Sequence, residues 1–158
     1  MSRAERKLAE GAQEFLRPGE RIAVIQPVQN KGALDAAVVG GAIGAIAGAK
    51  GSRAEREAAA GIGVELGAFT AMAITDQRLL FFAISGMAKV KELRSEIPLG
   101  EVDSIEVKKA MLGTRKRIQI AARGGSFLLE TPGRAKAELF TEALAAARAL
   151  DPMTTQRD

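Results

Sequence analysis

The sequence predicts a mainly β domain of the α+β class, in which a strongly bent antiparallel sheet or barrel is capped by a C-terminal helix. Short apolar or alternating runs follow one another from residue 69 to residue 131, with turn residues between them. The last part, 133–150, instead carries apolar residues at helical spacing. Successive strands joined by tight turns form antiparallel meanders, and a single amphipathic helix needs an apolar surface to cover.

The composition narrows the classes of function. The chain has 158 residues, which suits one domain, and it contains no cysteine and no histidine. We therefore expect no disulfide, no metal site and no cofactor. The opening residues MSRAERKLAE hold no apolar segment typical of a secretory signal, so a cytoplasmic location is expected.

The first part of the chain predicts a helix followed by a strand. Apolar residues recur at helical spacing over 3–16, so residues 1–17 are interpreted as an N-terminal amphipathic helix that ends before Pro18 and Gly19. The run 21–28 is rich in β-branched residues and predicts a strand, in which Pro27 marks an edge or an end.

Six further strands are predicted after the glycine-rich part of the chain. The turns between them include Thr75-Asp76-Gln77 and a tight hairpin turn at Gly124-Gly125. Thr131 and Pro132 have the residue types of an N-cap and a first helical position, so the final helix is placed at 133–150, before a flexible tail at 151–158. The predicted strands are 69–75, 78–84, 91–99, 102–109, 117–122 and 126–131.

Residues 31–67 form an insert rich in glycine and alanine. Its stretch 36–49 has no charged or hydrogen-bonding side chain, and Gly40, Gly44 and Gly48 lie four residues apart. This stretch is too short to span a membrane as a helix and lacks the spacing of a phosphate-binding loop. Small residues at every fourth position favour close helix packing. The partner helix could belong to this domain, to a second copy in a homo-oligomer, or to a membrane protein. The alternatives are shallow insertion into a membrane and a mobile loop.

Three short motifs carry a resemblance to a known family. They are Leu16-Arg17-Pro18-Gly19-Glu20 before the first strand, AITDQRLLF at 73–81 and IPLGEVDSI at 97–105. Together with the terminal helix they make the chain resemble bacterial pleckstrin-homology-like (PH-like) domains, in the wider group that includes GRAM domains. The resemblance covers 16–30 and 69–150, so 18–150 is interpreted as one PH-like domain with an insert at 31–67.

The resemblance implies a fold and a class of function. The fold is a bent antiparallel sandwich or barrel of seven strands with a C-terminal helix, and family members bind lipid headgroups, peptides or proteins. The family supplies no catalytic residues. The sequence also lacks the tryptophan that eukaryotic pleckstrin-homology helices usually carry. The nearest polar groupings, Asp76 with Arg78 and Glu101 with Asp103, lie at predicted turns, and no nucleophile–base pair accompanies them, so no enzymatic activity is expected.

The excess positive charge lies around one predicted hairpin. The net charge is +4, and the stretch 84–123 holds nine Lys and Arg against five acids. Five cations flank a turn whose tip carries Met111 and Leu112, which suits an anionic membrane surface, where each cation contributes about 1 kcal/mol. The alternative is a solvated hairpin whose charges discourage edge pairing. The five cations are Lys108, Lys109, Arg115, Lys116 and Arg117.

The function expected from the sequence is therefore a non-enzymatic PH-like binding module that associates peripherally with anionic lipid at the inner membrane face. The alternative is a protein-interaction or self-assembling domain, in which the insert packs helix on helix and lipid has no role. Nucleic acid is not expected as a partner, because the basic stretch 107–117 contains no aromatic residue for stacking.

Overall fold

The computed structural model describes residues 2–30, 54, 56–67, 69–109, 115–132 and 136–149. The mainly β fold, the seven predicted strands and the closing helix are confirmed. The elements are α1 (Arg3–Ala12), a 3₁₀ turn (Gln13–Phe15), β1 (Ile22–Asn30), α2 (56–61), β2 (Thr70–Thr75), β3 (Arg78–Ile84), β4 (Val90–Pro98), a second 3₁₀ turn (Leu99–Glu101), β5 (Val102–Lys109), β6 (Arg115–Ala122), β7 (Gly125–Pro132) and α3 (Glu138–Ala149).

The strands form one antiparallel sheet in the order β4-β3-β2-β1-β7-β6-β5. β1 joins its two halves, because residues Ile22 to Val28 pair with β2 whereas Gln29 and Asn30 pair with β7. β4 and β5 are the two ends of this order, so the described strands do not close into a barrel. Pro27 was expected at an edge or end; it pairs with Ala71 of β2, and because pairing with β7 begins only at Gln29, its other side has no partner among the described strands.

The middle of the sheet is buried on both faces. No residue of β2 or β3 is exposed. Met72 and Ile74 belong to a large core that includes Phe140 and Leu144 of α3, whereas Ala71 and Ala73 belong to a second core on the opposite face. Strands with both faces covered have apolar runs with little alternation, which explains the sequence RLLFFAI in β3.

Helix α1 covers the second core. Ser2 and Glu5 form a capping box at its start, and Leu8 and Ala12 are fully buried in the cluster that contains Phe82. The helix ends at Ala12, earlier than the predicted 3–16, because the chain tightens into the 3₁₀ turn. Helix α1 therefore packs on the sheet as part of the same domain.

The described end of the insert packs into the large core. α2 ends in a Schellman motif, in which Gly63 has φ +83° and the amide of Val64 donates to the carbonyl of Ala59 at 2.9 Å. Ala59, Ile62 and Val64 are all buried in that core. Gly63 thus ends the helix, and the segment contributes to the core of its own domain.

One predicted helix start and one predicted turn were placed at the wrong residues. Pro132 belongs to β7, and α3 begins only at Glu138, so Thr131 and Pro132 do not start the helix. The β6–β7 turn is formed by Arg123 and Gly124, which both have positive φ as in a type I′ turn, rather than by Gly124 and Gly125. Gly125 is the first residue of β7, where an added Cβ would lie 2.6 Å from Ile62 Cγ2.

Helix α3 lies beside β5 and is held at both ends. Arg148 Nη2 donates to the carbonyl of Val102 at the start of β5. At the other end, Lys116 Nζ of β6 lies 2.9 Å from Glu138 Oε1, and Gln26 Nε2 donates to the backbone carbonyl of Lys136 at 3.0 Å. Leu139 of α3 points outward and is 38% exposed.

Candidate functional site

The five predicted cations do not share one face of the β5–β6 hairpin. Ile118 and Ile120 of β6 point into the large core. Side chains alternate along a strand, so Lys116 points to that same side, towards α3, whereas Arg115 and Arg117 point to the outer face. Lys108 pairs with Arg117 across the two strands, and Lys109 pairs with Lys116. Like charges directly opposite each other repel, so this hairpin needs acids nearby.

Glu130 of β7 supplies the negative charge on the outer face. Its side chain is fully buried, and it lies directly opposite Arg117 in the β6–β7 register. Arg115 Nη1 lies 3.4 Å from Glu130 Oε2, and Arg117 Nε lies 3.7 Å from Glu130 Oε1. A buried carboxylate is tolerated only when it is paired, so these two guanidinium groups are structural partners of Glu130.

The remaining predicted residues divide into paired and undescribed ones. Lys116 is bound to Glu138, as above, and its side chain is 16% exposed. Lys108 hydrogen-bonds Gln119 at 3.2 Å, lies 3.8 Å from Glu106 and is 60% exposed. Lys109 is the last residue of β5. Outside the described residues lie Met111, Leu112, Gly40, Gly44 and Gly48.

The polar residues at the β2–β3 turn form a structural network that the sequence pattern did not reveal. Asp76 accepts from the backbone amide of Arg21 at 3.1 Å. Arg78 does not pair with Asp76 but donates to the carboxylate of Glu20, and Thr75 Oγ1 donates to the same carboxylate at 2.7 Å. Burial raises the pKa of Glu20, but the hydrogen bonds from Arg78, the Arg17 amide and Thr75 outweigh it and lower the pKa from 4.5 to about 2.

The second predicted polar grouping separates in the structure. Glu101 Oε2 accepts from Arg123 Nη2 at 3.1 Å, at the β6–β7 turn. Asp103 offers its backbone carbonyl to Arg148 at 3.3 Å. The two acids therefore bind different partners, and each contact fixes one element against another.

A groove lies between β5 and α3 in the part of the chain that the structure describes. Its floor is made by Ile105 and Val107, and its α3 wall by Glu138, Thr141 and Glu142. The strand contributes four successive residues, since Glu106 and Lys108 complete the lining. The groove lies between the two attachments of α3 described above, which hold its walls in place.

The β5 edge was not singled out in the sequence. The strand VDSIEVKK was predicted correctly, but its position at the end of the sheet depends on the strand order. Sequence shows which residues alternate along a strand, and it does not show which strand lacks a neighbour. The acidic residues of α3 indicate a binding groove only when that helix is known to lie beside β5.

Comparisons with known proteins assign no family. No protein-family model matches the chain, and no curated protein is similar to it at a significant level. Among the described residues, no helix is long and apolar enough to cross a membrane. In that same part of the chain, Asp and Glu do not gather in groups of three or more that could hold a metal ion.

Proposed function

We propose that this protein is a non-enzymatic binding module of PH-like architecture whose ligand is a segment of another protein. The observation that carries the proposal is the groove between β5 and α3, in which a strand edge that is unpaired among the described residues lies beside a helix held at both ends. Ligands usually bind in concave sites with an apolar floor and a few polar groups on the walls. Ile105 and Val107 supply such a floor, and the side chains of α3 supply the polar groups.

The PH-like architecture is supported by the topology. β1 is shared by a half-sheet made with β2, β3 and β4 and a half-sheet made with β5, β6 and β7. A single C-terminal helix packs against the core between them through Phe140 and Leu144. These features match what the sequence motifs led us to expect of this family.

A protein ligand is favoured over a lipid surface because three of the five hairpin cations, Arg115, Lys116 and Arg117, are engaged within the domain. Arg115 and Arg117 neutralise the buried Glu130, and Lys116 binds Glu138. A cation that already has a carboxylate partner contributes less to attraction of an external anion. Moving Arg115 or Arg117 towards a lipid headgroup would leave Glu130 without its charge partners, which is costly for a buried group.

A direct test uses the full chain with labelled synthetic peptides as long as β5. The peptides alternate valine with lysine, threonine or glutamate, and fluorescence anisotropy measures their binding. Thr141→Trp places a large side chain in the groove and is expected to abolish binding. Leu139→Trp is the matched control, because Leu139 lies on the same helix outside the groove and is already exposed. Binding that neither variant alters would overturn the proposed site.

The second candidate function is peripheral binding to anionic membranes, and Lys108 is the observation that favours it. Its side chain is 60% exposed on the outer face of the hairpin. Co-sedimentation with neutral and anionic vesicles at low and high salt tests this candidate. Lys108→Ser is the informative variant, since it removes a solvated charge without disturbing Glu130. Salt-sensitive binding to anionic vesicles that this variant weakens would favour the membrane over the groove.

A further inference from the structure

The turn between β3 and β4 presents an apolar side chain to solvent on a fixed backbone. Met87 is 80% exposed, more than any other large hydrophobic residue in the described part of the chain. Ser85 Oγ accepts from the amides of Met87 and Lys89 at 3.3 and 3.1 Å, and the amide of Ser85 donates to the carbonyl of Lys89 at 2.8 Å. Lys7 Nζ of α1 donates to the carbonyl of Met87 at 3.1 Å. A segment held in this way loses little conformational freedom when it binds a partner.

The lysines around Met87 carry charge that is not neutralised locally. Lys7 and Lys89 are exposed, and so is Lys91 at the start of β4. Among the described residues, none of these three lysines forms an ion pair with a carboxylate. We call this surface the basic turn, defined as Met87, Lys89 and Lys91 together with Lys7 of α1. It combines an exposed apolar side chain with available positive charge.

The groove between β5 and α3 has the complementary character. Ile105 and Val107 make its floor apolar, and acids outnumber cations in its lining. The charged lining residues are Glu106, Glu138, Glu142 and Lys108. Lys116 neutralises part of the charge of Glu138, whereas Glu142 is exposed and forms no ion pair within the described part of the chain. The groove thus offers an apolar contact and negative charge together.

The basic turn and the groove lie on different sides of the molecule. Lys7 attaches the turn to α1, which packs on the second core. The groove adjoins α3, which packs on the large core across the sheet. A contact between the two surfaces therefore joins separate copies of the chain. Such a contact is heterologous, so each bound copy keeps a free turn or a free groove to which a further copy adds.

We infer that the basic turn of one copy docks in the groove between β5 and α3 of the next copy, so that the chain assembles head to tail. This inference rests on the proposed function and names a second copy of the chain as the partner. Met87 lies against the floor at Ile105 and Val107, and Lys89 pairs with Glu142. The contacts are made by the side chains of a turn, and they do not extend the sheet.

Charge favours this contact over contacts between like surfaces. Two basic turns would bring their lysines together, and two grooves would bring their acids together, so that each arrangement is repulsive. Only the contact of turn with groove joins opposite charges and also covers the exposed side chain of Met87.

Sedimentation velocity of the full chain over a range of concentrations tests the assembly. The wild type is expected to grow from a monomer to species larger than a dimer. Met87→Glu places a carboxylate against the acidic groove, and Thr141→Trp fills the groove, so each variant alone is expected to stay monomeric. Both positions are exposed, so neither change disturbs a core. Leu139→Trp, outside the groove, is the control that is expected to assemble like the wild type.

A mixture of the two blocked variants identifies a head-to-tail contact. Met87→Glu keeps an intact groove, and Thr141→Trp keeps an intact turn. Mixed in equal amounts, they are expected to form a complex of one copy of each and nothing larger. A mixture that stays monomeric although the wild type assembles would overturn the inference. A wild-type dimer that Thr141→Trp leaves intact would overturn it as well.

Exchanging charges tests the pairing of Lys89 with Glu142. Lys89→Glu is expected to weaken association roughly five-fold, since an attraction becomes a repulsion at an exposed site. Adding Glu142→Lys to the same chain is expected to restore most of this loss. Adding Glu57→Lys instead, at an exposed position of α2 outside the groove, is expected to restore none of it. Equal restoration by both changes would contradict a specific contact.

Other outcomes distinguish this inference from the proposed function. If the wild type stays monomeric while Thr141→Trp blocks binding of the valine peptides, the groove binds another protein and head-to-tail assembly is wrong. If the wild type neither assembles nor binds a peptide, both proposals fall. If the wild type stays monomeric and binds anionic vesicles in a way that Met87→Glu weakens, the basic turn contacts a membrane and the inference is again wrong.

Discussion

Arg78 and Glu20 form a buried, two-pronged ion pair: Arg78 Nη2 lies 2.5 Å from Glu20 Oε1, and Arg78 Nε lies 2.9 Å from Glu20 Oε2. Their side chains are 5% and 0% exposed. Glu20 precedes β1 and Arg78 begins β3, so the pair fixes the connection from α1 to the turn between β2 and β3. Arg78 also donates to Glu96 of β4 and to the carbonyl of Phe15. One guanidinium group thus joins four parts of the chain.

The Glu20 carboxylate is expected to make stability depend on acid. The pKa of Glu20 falls from 4.5 to about 2 on folding. A lowered pKa adds stability that is fully present above pH 4.5 and is lost as the pH falls towards 2. The loss amounts to about 3 kcal/mol. Urea denaturation at pH 7, 5 and 2 measures this loss.

Glu20→Gln is expected to destabilise the protein at pH 7 by about 3 kcal/mol, because Arg78 stays buried without its full charge partner. Between pH 5 and pH 2, the free energy of unfolding of the same variant should fall by about 3 kcal/mol less than that of the wild type. Glu10→Gln, at an exposed position of α1, is the control for the general effect of removing a carboxylate. An acid dependence equally steep in Glu20→Gln and wild type would mean that other carboxylates are responsible.

Arg115 and Arg117 are expected to contribute to stability rather than to ligand binding. Changing both to serine leaves the buried Glu130 uncompensated and should cost about 3 to 5 kcal/mol. Adding Glu130→Leu should recover much of this loss, since no buried charge then remains. The cycle compares the double serine variant, Glu130→Leu alone and the combination of both with the wild type. Thermal denaturation of these proteins measures the coupling. Strictly additive losses would show that these side chains do not interact.

Gly125 is expected to be required by the neighbouring Ile62. Because an added Cβ would lie 2.6 Å from Ile62 Cγ2, Gly125→Ala should destabilise by about 1 to 3 kcal/mol through overpacking. Ile62→Ala removes that methyl group, so the double variant should lose less than the sum of the two single losses. Urea denaturation of the four proteins decides this. A loss of stability in the double variant equal to the sum of the two single losses would argue against contact between the α2 segment and β7.

Helix α1 is expected to stabilise the sheet. Leu8 is fully buried in the core that contains Phe82, so Leu8→Ala should cost about 2 to 5 kcal/mol. Leu139→Ala removes the same atoms from an exposed site on α3 and should change stability by less than about 0.5 kcal/mol. Equal effects of the two substitutions would indicate that α1 does not pack on the sheet as described.

The fold could be predicted from the sequence because each strand carries its own pattern. RLLFFAI and VDSIEVKK keep their periodicity whatever surrounds them, and both are strands within a residue of their predicted limits. The start of α3 was missed because Thr131 and Pro132 satisfy a helix-start pattern locally, whereas pairing with β6 keeps them in β7. Tertiary pairing overrides a local capping preference.

The partners of the basic hairpin could not be predicted because they depend on register. A turn at Gly124-Gly125 would move every β6–β7 partner by two residues and place Arg117 opposite Pro132. The observed turn at Arg123-Gly124 places Arg117 opposite Glu130. Gly125 is a glycine because Ile62 approaches it, which is a contact distant in sequence. The interpretation of five cations as one surface did not account for the alternation of side chains across the strand.

Amide hydrogen exchange of the full chain, with and without the lysine–valine peptide, tests the central claim most directly. The peptide is expected to slow exchange within residues 105–108 of β5 and to leave β4 unchanged, because only the β5 edge gains hydrogen bonds. Protection confined to β4, or no change at β5 under conditions where the peptide is bound, would contradict a binding site at the groove between β5 and α3.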